Sequence, residues 1–241
     1  MWIFPYINLI WRIPLILLVT IVLASISVLC SLVDRSGRLQ HWCARLWAAI
    51  TLRVSRVSVK VDGLSKLDCQ RGYIIMPNHL SMFDHWVLLS VLPFQFRFAA
   101  KVSLFDIPFL GWHLRRAGNV PVDRSQPRKT LKVFRNVGKK IQEKCSLVIY
   151  PEGERTFGDK VKPFKRGAFL LARHARAPII PVTLIGSHRR LARGSIVIRP
   201  GTVEIVIHDV LEFREYNDLK LEEVAARVHK VVVSRYRQVP Q

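Results

Sequence analysis

Residues 13–33 contain no charged side chain, and no other feature limits this chain so strongly. An apolar run of about 20 residues, wound as a helix, is long enough to cross the hydrocarbon core of a bilayer. A cleavable signal peptide fits poorly. No basic region precedes the run, the apolar stretch is too long, and no small-x-small cleavage site follows it. Pro5 and Pro14 interrupt the pattern, which leaves a single span and a re-entrant hairpin both open. Arg12 is the only formal charge before the run ends, whereas Arg35, Arg38, Arg45, Arg53 and Arg56 follow it. That asymmetry puts the remainder of the chain on the cytoplasmic side of the cell (inner) membrane.

Beyond the run, Leu39, Trp42, Cys43, Leu46, Trp47 and Ile50 recur at helical spacing, with Arg38, His41 and Arg45 off the stripe. Trp and Arg on an amphipathic helix suit the headgroup region of a bilayer. The alternative is a helix that covers the globular domain. Charge narrows the partners further, since 38 Lys+Arg against 17 Asp+Glu leave a net +21. Such a surplus calls for nucleic acid, an anionic bilayer or phosphorylated substrates. The apolar run favours the bilayer, and no helix-turn-helix or RNA-binding signature accompanies the charge, so nucleic acid is not expected. Cys30, Cys43, Cys69 and Cys145 form no C-x-x-C pair, which fits a reducing compartment and suggests neither a zinc knuckle nor a disulfide framework.

From about residue 57 the period changes. Val57, Val59 and Val61 alternate with polar residues as a half-buried strand. Further strands are expected at residues 73–76, 96–100, 120–122, 147–150, 179–185, 196–198 and 203–207. Helical patterns fall at residues 81–92, 107–116, 129–143, 167–175 and 219–236. Strands alternating with helices indicate an α/β layered domain over residues 53–241, after a membrane-embedded or interfacial helical segment at residues 1–52.

The segment Asn78-His79-Leu80-Ser81-Met82-Phe83-Asp84 directly follows a buried strand. On a plain reading, Ser81 caps the next helix and Asp84 answers three residues later. A chemical reading is compatible with it. Within one helix, residues five apart diverge by about 140°. If His79 precedes the helix and Asp84 lies in its first turn, however, the loop folds the imidazole onto the carboxylate. An acid then holds a base in one tautomer. No nucleophile accompanies the pair, because Ser81 lacks the G-x-S-x-G turn and the cysteines lack a motif. The base would therefore activate a hydroxyl carried by the substrate. No H-E-x-x-H, Walker A or G-x-G-x-x-G appears.

Two arginines stand just past other strands: Arg124 in Gly118-Asn119-Val120-Pro121-Val122-Asp123-Arg124, and Arg155 in Tyr150-Pro151-Glu152-Gly153-Glu154-Arg155-Thr156. A guanidinium grips a phosphate bidentately. The apolar strand 177–182 carries paired prolines, Pro178 and Pro181. Taken in order, His-x-x-x-x-Asp, G-x-x-x-x-x-R, E-G-x-R and the proline-flanked strand resemble the glycerolipid acyltransferase family, most of all its bacterial lysophosphatidate acyltransferases.

The resemblance implies an acyltransferase-like α/β fold, a layered mixed sheet with helices. It implies transfer of a fatty acyl group from a thioester to the free hydroxyl of a lysophospholipid, with lysophosphatidate first among acceptors. Glycerol-3-phosphate or another lysophospholipid stays open. His79 matches the general base and Asp84 its partner. Arg124 and Arg155 match the arginines that hold the acceptor phosphate, while Glu152 and Gly153 match residues that shape the acceptor site. Lys101, and Lys165 with Arg166, sit where relatives often carry a basic residue. No metal or bound cofactor is implied. Acyl-CoA or acyl-acyl carrier protein would be the co-substrate, and acyl carrier protein a partner. Glu154 and Thr156 depart from the usual Thr and Ser of the E-G-x-R block. An extra carboxylate beside Arg155 either faces away or signals a different acceptor. The rival class is a basic, non-catalytic membrane or nucleic-acid binding module.

If the pair is catalytic, His79→Ala should abolish acyl transfer while the thermal unfolding midpoint holds, because a loop histidine leaves no core cavity. Asp84→Asn should cost orders of magnitude in turnover, since an amide cannot support an imidazolium. Near-normal turnover by His79→Ala would refute the assignment.

Overall fold

A computed structural model of the chain describes residues 4–123, 141, 143–157 and 160–236. The apolar run belongs to helix α1, Phe4–Cys30, which continues through Pro14 without a re-entrant bend. A turn leads into α2, Arg38–Val54, after Gly37 in the left-handed conformation at φ 76°. The two helices run antiparallel. Trp47 Nε1 donates to Thr20 Oγ1 at 2.9 Å, and Cys43 of α2 meets Cys30 at the end of α1.

Among the described residues the sheet has seven strands: β1, Val57–Asp62; β2, Ile74–Pro77; β3, Phe96–Lys101; β4, Val120–Val122; β5, Ser146–Val148; β6, Ile179–Ile185; and β7, Gly201–Ile207. Their order is β1-β7-β6-β2-β5-β3-β4, with every pairing parallel except β6 with β7. Between them lie α3 (Phe83–Val91), α4 (Leu110–Arg116), α5 (Arg166–His174) and the short α6 (Ser187–Arg190). The chain closes with α7 (Phe213–Tyr216) and α8 (Leu221–Tyr236). This is the expected layered, mixed α/β fold.

Strand β2 reads as a continuous apolar run because both of its faces are buried. Ile75 packs with Ala48, Leu52, Phe83 and Trp86 of α2 and α3. Ile74 and Met76 pack on the opposite layer, with Phe169, Val224 and Val228 of α5 and α8. The described residues thus form three layers around two cores.

The structure corrects several expectations. Helix α2 buries Gln40, His41, Ala48, Thr51 and Leu52, whereas Leu39 and Trp42 of the predicted stripe are exposed. The helix lies between α1 and α3, so two of its faces are covered instead of one. It covers the domain and still presents Trp42 to its surroundings. Residues 196–198 form no strand. Ile198 enters the core from a loop closed by Arg199 N donating to Arg190 O at 2.8 Å, and that inward residue imitates strand alternation. Most of the helix expected at residues 129–143 lies outside the described residues, as does Arg124.

Helix α1 leaves Trp11, Leu17, Leu18, Ile21, Val22, Ile26 and Leu29 exposed, and residues Ile10–Cys30 are long and apolar enough to cross a membrane. Trp42 of α2 and Trp112 of α4 are exposed as well. Helix α2 differs from α1 in its role, because Ala48 and Leu52 complete the core above β2. Removing residues 1–52 strips that layer, and each large apolar side chain so exposed costs about 1.5–3 kcal/mol. The truncated protein is expected to lose cooperative unfolding in detergent, followed by near-ultraviolet circular dichroism. Removal of residues 1–34 alone should leave a folded protein with a lower midpoint. A parent-like melt for the 53–241 fragment would contradict this packing.

Candidate active site

Strands β2, β5 and β6 lie side by side and parallel, so the loops at their carboxyl ends open on one crevice, where open α/β sheets take ligands. Asn78 starts the β2 loop by acting as a stretch of backbone. Its Nδ2 donates to Leu184 O at 2.9 Å, and its Oδ1 accepts from Leu184 N at 2.7 Å. The loop is thereby fixed to β6 before it reaches His79.

Helix α3 begins at Phe83, so His79 precedes it and Asp84 occupies its first turn. The loop bends as the spacing required. Asp84 Oδ2 lies 2.8 Å from His79 Nδ1, and it also accepts from Leu80 N and Ser81 N at 2.8 Å each. With two backbone N–H groups donating to it, Oδ2 acts as an acceptor, which fits the tautomer that carries its hydrogen on Nδ1 and keeps the lone pair on Nε2. Asp84 is fully buried and His79 nearly so, which corrects the expectation of a free loop histidine: His79→Ala removes packed atoms and is expected to lower the unfolding midpoint as well as abolish transfer. Ser81 Oγ is committed elsewhere, donating to Leu191 O at 2.7 Å and accepting from Phe83 N at 3.2 Å. It serves as a cap.

The loop after β5 is joined to His79 through the main chain. Glu152 Oε1 accepts from His79 N at 2.6 Å, and Thr156 N donates to His79 O at 2.9 Å. Glu152 Oε2 accepts from Thr156 Oγ1 at 2.5 Å and Lys162 N at 2.9 Å. Burial raises the carboxyl's pKa, while these hydrogen bonds pull it back down. Gly153 turns at φ 81°, and a Cβ there would stand 3.1 Å from Lys165 Nζ, so the glycine lets a lysine lie against the turn.

Arg155 is half-buried on this turn, and its charge helps to depress the pKa of the neighbouring His85. Its side chain has no hydrogen bond or ion pair among the described residues. The unusual Glu154 points away from it, to Lys162 Nζ at 2.9 Å and Arg193 Nη1 at 3.6 Å. Lys101 is exposed at the carboxyl end of β3, and Arg166 reaches Glu222 at 3.5 Å on another face. The structure therefore brings together His79, Asp84, Glu152, Gly153 and Arg155, and leaves Lys101 at the margin.

Two residues were not legible beforehand. The Tyr150 ring stacks on His79 with centroids 3.8 Å apart and planes at 20°, and His85 meets His79 edge-on at 5.1 Å. Burial pushes the His85 pKa down to about 3, so that ring is neutral. Only the adjacency of Tyr150 to the E-G-x-R block hinted at its place. Among the described residues no group of three or more His, Cys, Asp or Glu is arranged to hold a metal ion.

Comparison with known proteins agrees with this geometry. A chloroplastic 1-acyl-sn-glycerol-3-phosphate acyltransferase of Brassica napus is 32% identical over 180 residues, covering 73% of this chain and 52% of the relative. A 1-acyl-sn-glycerol-3-phosphate acyltransferase of Saccharomyces cerevisiae is 29% identical over 219 residues, covering 88% and 71%. The chain spans about half the length of several curated relatives it matches. The crystal structure of the 1-acyl-sn-glycerophosphate acyltransferase PlsC from Thermotoga maritima has the same fold, with a TM-score of 0.84 at 20% identity, covering 98% of this chain and 96% of that one. A family model described as Acyltransferase matches residues 58–185, more than half the chain and all of the segments that carry His79, Asp84, Glu152 and Arg155. The chain belongs to the acyltransferase family.

Proposed function

We propose that this protein is a membrane-bound O-acyltransferase that moves a fatty acyl group from an acyl thioester to the free hydroxyl of lysophosphatidate, giving phosphatidate. The observation that carries the reading is the His79–Asp84 pair, with its Nδ1···Oδ2 distance of 2.8 Å, beside which the Ser81 hydroxyl is committed to Leu191 O and Phe83 N. Nε2 of His79 takes the proton as the acceptor hydroxyl attacks the thioester carbonyl. The tetrahedral intermediate then collapses, the C–S bond breaks, and the proton passes to the departing thiolate. Asp84 supports the developing imidazolium, and the stacked Tyr150 ring presents its π-face to the same charge.

Arg155 holds the acceptor's phosphate in this scheme, with Arg124 as a second grip and Lys101 as an outer anion contact. Glu152 and Gly153 shape the acceptor site by fixing the turn. The acyl donor is acyl-CoA or acyl-acyl carrier protein, both anionic, which the basic chain favours. Relatives named as 1-acyl-sn-glycerol-3-phosphate acyltransferases support the choice of acceptor. Residues 1–52 then hold the protein in the cell (inner) membrane, and the catalytic domain, residues 53–241, faces the cytoplasm. The apolar face of α1 would keep the acceptor's acyl chain in lipid while its headgroup reaches His79.

The test is a panel of both donor types with lysophosphatidate, glycerol-3-phosphate and other lysophospholipids, using purified protein in detergent and product mass as readout. Phosphatidate should be the main product. No product from any phosphorylated acceptor would overturn the reading. Replacing Arg155 with Ala should raise the acceptor KM about tenfold or more, as loss of a charge-assisted contact does, while the donor KM moves little. Equal losses for both substrates would assign Arg155 a folding role instead.

A further inference from the structure

The loop between α6 and β7 reaches both halves of the crevice. On one side Leu191 O accepts from Ser81 Oγ at 2.7 Å, which ties the loop to the start of α3 beside Asp84. On the other side Arg193 touches three residues of one turn. Its Nη1 donates to Arg155 O, and it stands 3.6 Å from Glu154 Oε2. Its guanidinium carbon lies 4.1 Å from the centre of the Phe157 ring. An exposed arginine with one ion pair contributes little. A planar guanidinium that meets a carbonyl, a carboxylate and an aromatic face together is held in one orientation.

The consequence lies in a single peptide unit. The plane joining Arg155 to Thr156 has its C=O bound by Arg193 and its N–H bound to His79 O at 2.9 Å. With both ends fastened, the rotation that aims the Arg155 side chain is set from two directions, by the His79 loop and by the α6–β7 loop. We propose that Arg193 is a positioning residue that orients Arg155 toward the acceptor phosphate. Glu154 keeps Arg193 on the turn by pairing with it, which gives a structural task to the carboxylate that departs from the family pattern. This inference rests on the reading of Arg155 as the phosphate-binding group.

The test compares wild type, Arg193→Ala, Arg193→Lys, Arg155→Ala and the double variant Arg155→Ala/Arg193→Ala. Acyl transfer is measured to lysophosphatidate and to a monoacylglycerol of the same chain length, with unfolding midpoints in detergent as a control. Arg193→Ala should raise the lysophosphatidate KM about tenfold, with the donor KM unchanged within about twofold. Preference for lysophosphatidate over monoacylglycerol should fall by the same factor, whereas general loosening of the fold would slow both acceptors equally. Arg193→Lys, which cannot make all three contacts at once, should fall between, and it keeps the comparison available if the alanine variant melts early. The double variant should be no worse than Arg155→Ala, because one residue acts through the other. Full additivity, or an unchanged lysophosphatidate KM in Arg193→Ala, would overturn the inference. A wild type inactive on every phosphorylated acceptor would instead overturn the functional reading on which it rests.

Discussion

Glu152 is an almost fully buried carboxylate, and the site is built around satisfying it. Burying a carboxylate without partners is prohibitive, so its oxygens need donors from whatever surrounds them. Here the donors are His79 N, Lys162 N and the Thr156 hydroxyl. They belong to the β2 loop and to two points of the segment that follows β5. One side chain therefore draws three stretches of chain into a fixed relation. Leaving any of those buried donors unpaired would cost about 1–3 kcal/mol.

That arrangement works only because the sheet brings the loops near one another first. Strand β2 sits between β5 and β6 with parallel pairing on both sides, so the Asn78, Glu152 and Gly186 segments all emerge at one end. Asn78 then closes the β6 side through two hydrogen bonds to Leu184. The histidine loop is pinned to its neighbours at residues 78, 79 and 81 before Asp84 takes hold of the imidazole. An imidazole held by a carboxylate, two aromatic neighbours and a rigid main chain would need little reorganisation to take a proton in the proposed reaction.

The helical layers bear on the same point from outside. Ala48 and Leu52 of α2 share one core with Phe83 and Trp86 of α3, the helix that carries Asp84. The Trp47 ring meets Trp86 edge-on at 5.7 Å, and its Nε1 donates to Thr20 of α1. The apolar helix is thus continuous, through packed side chains, with the layer that positions the acid of the pair. The candidate membrane-spanning helix and the placement of Asp84 become parts of one structure.

The sequence by itself determined the local features. An uncharged run became one long helix, alternating valines became β1, and five-residue spacing at a strand end placed an acid against a base. Each of these depends on neighbours in the chain, and helical and strand periodicity record them directly. Only the tertiary structure decided the rest. It selected two buried faces for α2 over one, because α1 and α3 approach from different sides. It took Ile198 into the core from a loop, a placement that alternation misread as a strand. It turned Glu154 outward to Lys162 and Arg193 and set Tyr150 flat against His79. Tyr150 and His79 are separated by about 70 positions and meet only when β2 and β5 pair. Contacts of that kind leave no period in a sequence, since the partner that fixes each side chain lies on another strand or loop.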